Sequence, residues 1–179
     1  VELSLLGGNL AGRDLLAPYG GWLSAIYSTS QTTNTFQPAN YSTATKVTVT
    51  GTRIHDFRNF GIYHDGSPLG RALFTMNGGA IIEGTGIGTE GIGIYLTPEI
   101  YYAALVMDDA IVRNNHGDGI YIFQNSGSLG GVNIGHPVGS YLNLEGTQVY
   151  GNGGNGLTLE LGGSGIVGGA WITQGALGP

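Results

Sequence analysis

A short repeated unit constrains this chain more than any other feature of its sequence. Three stretches align with one another without gaps, and they are residues 47–65, 105–123 and 142–160. Residues 80–97 align with them when one residue is deleted, and residues 165–172 match the first half of the unit. Self-similarity of this kind is the signature of a stacked repeat architecture.

The pattern inside each unit predicts three short strands separated by bends. Each unit reads apolar-x-apolar, an acid or Thr, usually Gly, and then Ile or Val, before a turn that ends in Gly and Ile-Tyr-apolar. Because side chains alternate between the two faces of a strand, each apolar-x-apolar piece is a strand with one buried face. Stacked units bury that face in a shared core, which one unit cannot do alone. We therefore predict an all-β fold, a right-handed parallel β-helix of about five rungs.

Uneven spacing between equivalent positions predicts insertions at one corner of this β-helix. Those positions are Leu6, Val49, Ile82, Met107, Leu144 and Val167. In the first unit, residues 4–11 match only weakly, and residues 25–27 supply the second half after a long insert. The insertions follow the Ile-Tyr strand, at about residues 28–45, 66–78, 98–104 and 124–140.

We expect residues 1–179 to form a single β-helix domain that is a piece of a longer chain. The first unit starts at once, and the last unit halts soon after Ile172, before its Ile-Tyr strand. A parallel β-helix with open ends exposes unpaired strand edges, which favour association. Residues 1–179 produced alone are therefore expected to be poorly soluble or to associate end to end.

The composition excludes several classes of function. The formal net charge is −6, with only 6 Lys plus Arg, so no basic patch is available to neutralise a nucleic-acid backbone or an anionic membrane surface. No apolar run approaches the roughly 18 residues that a membrane-spanning helix needs. Without cysteine the chain has no disulfide and no thiol nucleophile. We expect no nucleic-acid partner, no membrane insertion, no cofactor and no dedicated metal site.

Two turn-and-strand stretches resemble those of a known superfamily. Residues 114–122 read NNHGDGIYI and residues 151–159 read GNGGNGLTL. They resemble the signature of the pectate-lyase-like right-handed β-helix superfamily, which includes polysaccharide lyases, glycoside hydrolases, epimerases and bacteriophage tailspikes. With 35 Gly, no Cys and 10% charged residues, the units are most similar to a tailspike or a related virion adhesin.

That resemblance implies a homotrimer in the virion tail that binds, and often cleaves, a cell-surface polysaccharide of the host. One alternative is a monomeric secreted polysaccharide lyase, hydrolase or epimerase, and another is a purely structural β-helical shaft. Long, uneven insertions favour the first two readings, because loops carry function and a shaft does not need them. The near absence of Lys and Arg favours the spike over a lyase.

The alignment predicts a column of tyrosines on the outside of the β-helix. Its members are Tyr27, Tyr63, Tyr95 and Tyr121, followed by Thr158. Each lies between two inward apolar residues, so each is expected to point outward. A line of tyrosines offers flat apolar faces and hydroxyl groups to a sugar chain, and aromatic side chains also suit a subunit interface. A third reading is that the column packs beneath the insertions and stabilises the corner.

The alignment also predicts a column of acidic residues as a candidate catalytic site. It contains Thr50, Glu83, Asp108 and Glu145, and it ends at Gly168. The outermost two of the three stacked carboxylates would lie about 9–10 Å apart, a separation that glycoside hydrolysis can use. Like charges this close raise one another's pKa or attract Ca²⁺. Alternatively, these acids cap the turn that follows by accepting backbone N–H bonds.

Other polar residues near the turns have structural interpretations. Asn115 and Asn152 are predicted to form a turn ladder, since Asn tolerates left-handed backbone and bonds neighbouring backbone groups. His64 lies beside Tyr63 and Asp65 in what resembles part of an acid–base cluster. Strand alternation instead directs His64 inward, so we predict a packed histidine.

Overall fold

The computed structural model of the protein contains only β-strands in the part of the chain that it describes. Most of these strands belong to three parallel sheets of five strands each. The described residues are 2–12, 24–29, 45–65, 72–86, 91–97, 103–124, 128–129, 132–133, 136–137, 141–161 and 166–167.

The first sheet contains the opening strand of each repeat. Its strands, in their spatial order, are β1 (Glu2–Leu6), β4 (Thr45–Thr50), β7 (Ala72–Asn77), β10 (Ala103–Asp108) and β16 (Tyr141–Glu145). All neighbours pair in parallel. Burial alternates along the central strands, as the apolar-x-apolar pattern predicts for a sheet with one face in the core.

The second sheet is built from strands of only three residues. They are β2 (Asn9–Ala11), β5 (Arg53–His55), β8 (Ile81–Glu83), β11 (Ile111–Arg113) and β17 (Gln148–Tyr150). The middle residue of each strand points inward, and Ile54, Ile82 and Val112 are fully buried. The residues on either side of it therefore point outward.

The third sheet contains the Ile-Tyr strands. They are β3 (Ser24–Thr29), β6 (Phe60–Asp65), β9 (Ile92–Thr97), β12 (Ile120–Gln124) and β18 (Leu157–Leu161). Ile62, Ile94 and Ile120 are fully buried in register with one another. Side chains of all three sheets join one hydrophobic core cluster.

The chain thus passes through the first, second and third sheets in turn, and it repeats this order five times. We call each such circuit a pass. The order of strands is compatible with the predicted parallel β-helix. Connections from the third sheet back to the first have unequal lengths. The one between β3 and β4, for example, is much longer than the one between β9 and β10. The uneven spacing of the repeat predicts insertions of variable length at this corner.

Left-handed residues recur at the same two turns of successive passes. Between the first and second sheets they have φ from 50° to 69°, and they are Gly7, Gly51, Gly78, Asp109 and Gly146. Between the second and third sheets they have φ from 54° to 65°, and they are Asp56, Gly84, Asn114 and Gly151. Gly, Asn and Asp are the residues that tolerate this conformation, which explains the turn composition of the repeat.

The predicted alignment of residues 80–97 is wrong in its first half. Ile82 does not pair with the Val49 level of the first sheet but with Ile54 and Val112 of the second. Met76 occupies the level of Val49, because the chain from Ala72 to Asn77 forms a strand inside the stretch predicted to be an insertion. A short apolar-x-apolar piece fits either sheet, so sequence alone does not distinguish them.

Two further alignments at the ends are also wrong. Leu5, not Leu6, pairs with Val49, which leaves Leu6 77% exposed. Val167, in β19 (Ile166–Val167), pairs with β13 (Ser128–Leu129) rather than with Leu144. The remaining short strands, β14 (Val132–Asn133) and β15 (His136–Pro137), form an antiparallel pair.

Glycines at the start of third-sheet strands leave no space for a side chain where another pass lies beside them. A Cβ atom on Gly93 would lie 2.6 Å from the carbonyl oxygen of Gly119 and 2.8 Å from the side-chain nitrogen of Asn115. At the same position of the last pass, a Cβ on Gly156 would meet its nearest described neighbour, Val149, at 3.5 Å, an ordinary contact. The repeat therefore requires Gly where another pass is stacked on it.

We predict that Gly93→Ala lowers the free energy of unfolding by about 1–3 kcal/mol through overpacking. The matched variant Gly156→Ala is expected to change it by no more than about 0.5 kcal/mol. Urea denaturation of the two variants and the wild type measures both effects. Equal destabilisation by the two substitutions would contradict this packing of successive passes.

Candidate functional site

The predicted tyrosine column is present on the outer face of the third sheet. Tyr27 pairs with Tyr63, Tyr63 with Tyr95, and Tyr95 with Tyr121. Thr158 follows Tyr121 in register on the last strand. The centroids of successive tyrosine rings are 5.3, 5.4 and 5.0 Å apart, within the range of favourable aromatic pairs.

Phe60 joins this column, although the sequence analysis did not identify it. Its ring stacks on Tyr63 with centroids 4.9 Å apart and on Tyr95 with centroids 5.2 Å apart. The repeat alignment gave little indication of this, because the residue in register with Phe60 on the next strand is Ile92, which is not aromatic. We refer to Tyr27, Phe60, Tyr63, Tyr95 and Tyr121 together as the aromatic strip.

The aromatic strip is partly open to solvent. Tyr27 is 60% exposed, whereas Tyr63, Tyr95 and Tyr121 are of intermediate exposure. Rings that stack on one another still present their edges and hydroxyl groups to the outside. The strip therefore offers a continuous surface along the stacking direction, made of ring edges and phenolic oxygens.

Carboxylates border the aromatic strip on both sides. Glu160 accepts a hydrogen bond from the Tyr121 hydroxyl, which raises the pKa of Tyr121 to about 12. Burial raises the pKa of Tyr63, and the negative charge of Asp65 raises it further. On the other side, Asp118 accepts hydrogen bonds from the Asn155 backbone N–H at 2.7 Å and from the Thr158 hydroxyl at 2.5 Å. The surroundings of the strip are thus negative.

The predicted column of three stacked carboxylates is wrong, because Glu83 lies in the second sheet. There it pairs in register with His55 and Arg113, not with Asp108. Asn77 occupies the level between Thr50 and Asp108 in the first sheet, and the Thr50 hydroxyl donates a hydrogen bond of 2.6 Å to it. The reason is the same misplaced strand that shifted the alignment of residues 80–97.

Glu83 instead forms the centre of an ion-pair network. Its carboxylate accepts hydrogen bonds from Nε of Arg53 and, at 2.6 Å, from Nε of Arg113. The Arg113 guanidinium also donates to the Tyr150 hydroxyl at 2.9 Å. Burial alone would raise the pKa of Glu83, but the hydrogen bonds and charges of both arginines outweigh it and hold the pKa below its ordinary value. A lowered pKa makes Glu83 poorly suited to act as a general acid.

Asp108 and Glu145 do occupy neighbouring positions, as predicted. They pair in register at the ends of β10 and β16, and Asp108 is exposed. Neighbouring strands lie about 4.8 Å apart, so the backbones of the two residues are at adjacent levels of the first sheet. Gly168, the predicted end of this column, lies outside the described residues. Any catalytic role for these acids stays a prediction.

The predicted asparagine ladder is confirmed, and it extends to a threonine. Oδ1 of Asn115 accepts hydrogen bonds from the Thr85 backbone N–H at 3.1 Å and from the Thr85 hydroxyl at 2.8 Å. Nδ2 of Asn115 donates to Oδ1 of Asn152 at 2.9 Å. Asn115 is 2% exposed, so these bonds satisfy polar groups inside the turn and do not form a binding site.

His64 is packed in the core, as strand alternation predicted. It is 1% exposed, its ring lies edge-on to Phe74 with centroids 5.2 Å apart, and its Nδ1 is 2.9 Å from the Ser28 hydroxyl. Burial lowers the pKa of His64 to about 4, against an ordinary value of 6.5. The imidazole is therefore neutral at neutral pH and does not face the aromatic strip.

The described part of the chain has no group of three or more His, Asp or Glu side chains placed to hold a metal ion. Within the same residues, no helix is long and apolar enough to cross a lipid bilayer. No protein-family model, curated protein or solved structure matches the chain. The resemblance to the pectate-lyase-like superfamily therefore stays a prediction.

We predict that His64 makes the fold sensitive to mild acid. Its folded pKa lies below its ordinary value, so the unfolded state binds the proton first as the pH falls. The free energy of unfolding should therefore fall by roughly 2 kcal/mol between about pH 7 and about pH 5, and it should keep falling to about pH 4. Urea midpoints measured across this range give the slope.

The substitution His64→Leu removes the buried imidazole and matches Leu96, which pairs with it in the next strand. This variant should lose most of the stability change between about pH 7 and about pH 5. His116→Gln alters an exposed histidine and should retain the wild-type slope. An unchanged slope in His64→Leu would show that other groups cause the acid sensitivity.

Proposed function

We propose that the chain is a right-handed parallel β-helix that binds a polysaccharide along its aromatic strip. The repeated order of first, second and third sheets supports the β-helix, and the right-handed form follows from the strong preference of parallel crossover connections for that hand. Five passes would then stack along one axis. The aromatic strip would run parallel to that axis on one outer face.

The observation that carries the proposed binding function is the spacing of the tyrosine rings. Centroids 5.0–5.4 Å apart place one tyrosine ring on each of the first four passes, so a chain molecule lying along the axis contacts several rings at once. Sugar rings present apolar C–H faces together with hydroxyl groups, and tyrosine offers an apolar ring and a hydroxyl to match both. An extended saccharide therefore fits the strip better than a compact small molecule.

The resemblance to tailspikes and virion adhesins supports a more specific role. In that role the protein is a homotrimer in the virion tail and attaches to a cell-surface polysaccharide of the host. A secreted, extracellular protein with the same strip is the alternative location. Because aromatic side chains also suit subunit interfaces, the decisive measurement must report binding and subunit association separately.

We predict that Tyr95→Ala and Tyr121→Ala each weaken polysaccharide binding by roughly tenfold, which corresponds to about 1.4 kcal/mol. Tyr95 is an inner ring of the strip and Tyr121 is its last ring, so the two substitutions remove one ring at an inner and one at a terminal position. The measurement is binding to an array of bacterial surface polysaccharides, with melting temperature and light scattering recorded on the same samples. Tyr150→Ala is the control, because it removes an exposed tyrosine from the second sheet.

The two other readings of the strip give different outcomes in this experiment. If the strip is a subunit interface, the variants lose the oligomer seen for the wild type. If the strip only stabilises the fold beneath the insertions, the variants melt at lower temperature and retain binding. Either outcome would overturn the proposed binding role.

Cleavage of the bound polysaccharide is a second candidate function, and the register of Asp108 with Glu145 favours it. Carboxylates about 5 Å apart suit a retaining glycoside hydrolase. We predict that if the wild type releases reducing ends, then Asp108→Asn lowers the rate at least a hundredfold, on the order of the 10²–10⁴ that a general acid contributes. Glu83→Gln should lower stability rather than the rate per folded molecule, since Glu83 neutralises two arginines.

A further inference from the structure

The outer face that carries the aromatic strip has an unbalanced charge. Asp65 and Glu160 are exposed at one border of the strip, and Asp118 lies at the other. The five strands of the third sheet contain neither Lys nor Arg. Arg58, in the turn before β6, is the nearest described cation in sequence. Among the described residues, three carboxylates near the strip therefore outnumber this one guanidinium.

The other described cations lie in the other sheets. Arg53 and Arg113 belong to the second sheet and share the carboxylate of Glu83. Lys46 belongs to the first sheet, in β4. The chain as a whole is also negative, with a formal net charge of −6. A polyanion approaching the strip thus meets carboxylates at short range and net negative charge at long range.

Repulsion of this kind discriminates between classes of polysaccharide. Exposed charges interact when they are closer than a Debye length, which is about 30 Å at 0.01 M salt and about 10 Å at 0.1 M, so added salt screens the interaction. Uronic acid carboxylates, phosphates and sulfates are repelled from the strip. Protonated amino groups are attracted by the carboxylates. The hydrogen bond to Glu160 raises the pKa of Tyr121, and the charge of Asp65 adds to the effect of burial in raising the pKa of Tyr63.

We infer that the aromatic strip selects a polysaccharide without acidic groups, and that free amino groups strengthen its binding. This inference rests on the proposed polysaccharide-binding function and names the chemical class of its ligand. The selection arises from charge at the borders of the strip, since Asp65, Asp118 and Glu160 surround rings that would otherwise accept any extended saccharide.

The test uses the full chain and an array of neutral, amino-bearing and acidic polysaccharides at low and at high salt. Each acidic polysaccharide is also presented after chemical reduction of its carboxyl groups, which yields a matched neutral form. We expect neutral and amino-bearing polysaccharides to bind. We expect reduction to strengthen the binding of an acidic polysaccharide by roughly tenfold or more at low salt, and added salt to strengthen the binding of its unreduced form.

The double substitution Asp65→Asn with Glu160→Gln should abolish most of this discrimination while binding of neutral polysaccharides persists. The matched control is the double substitution Glu2→Gln with Asp109→Asn, because it also removes two negative charges, but at positions that lie away from the strip. Asn tolerates the left-handed backbone of Asp109. If the control relaxes discrimination equally, selection comes from net charge, and the role assigned to the strip's borders is overturned.

Two other results would also overturn the inference, and they are distinguishable. Binding of an acidic polysaccharide that weakens as salt is added would contradict the selection by charge and leave the polysaccharide-binding function intact. Failure of the wild type to bind any polysaccharide on the array, reduced or not, would overturn both proposals.

Discussion

Backbone hydrogen bonds between parallel strands in register hold equivalent residues of successive passes at a spacing of about 4.8 Å. These bonds place equivalent positions of the repeat next to one another in all three sheets. Ile54 meets Ile82 and Val112 inside the second sheet, while Tyr63 meets Tyr95 and Tyr121 outside the third. A feature present once in the repeat thus becomes a column in the structure, as the tyrosines of the third sheet show.

Columns are favourable only where the stacked groups tolerate contact with their own kind. Apolar side chains and aromatic rings do so, and amides do so because each has both a donor and an acceptor, as Asn115 and Asn152 show. Stacked like charges repel one another. The outer face of the second sheet avoids this by placing Glu83 between Arg53 and Arg113, so that opposite charges alternate across neighbouring strands.

The turns impose a stricter requirement than the strands. Left-handed residues recur at two bends of the pass, and a third position, represented by Gly93 and Gly119, has no room for a Cβ atom beside the next pass. Glycine is abundant in the chain for these two separate reasons. The strands, by contrast, accept a range of apolar residues, which lets side chains on the outer faces vary with function.

The sequence by itself determined the repeat and the alternation of buried and outward residues along the Ile-Tyr strands, and hence the tyrosine column and the inward position of His64. Both follow from the two-residue period of a strand, a local property. Only the tertiary structure decided which sheet each short strand joins, because an apolar-x-apolar triplet such as residues 80–82 satisfies the pattern of either the first or the second sheet. Because β8 joins the second sheet, Glu83 contacts Arg53 and Arg113 instead of forming the predicted column of carboxylates. The tertiary structure also brings Phe60 against Tyr63 of its own strand and Tyr95 of the neighbouring strand, and periodicity along the chain does not encode the contact between the two strands.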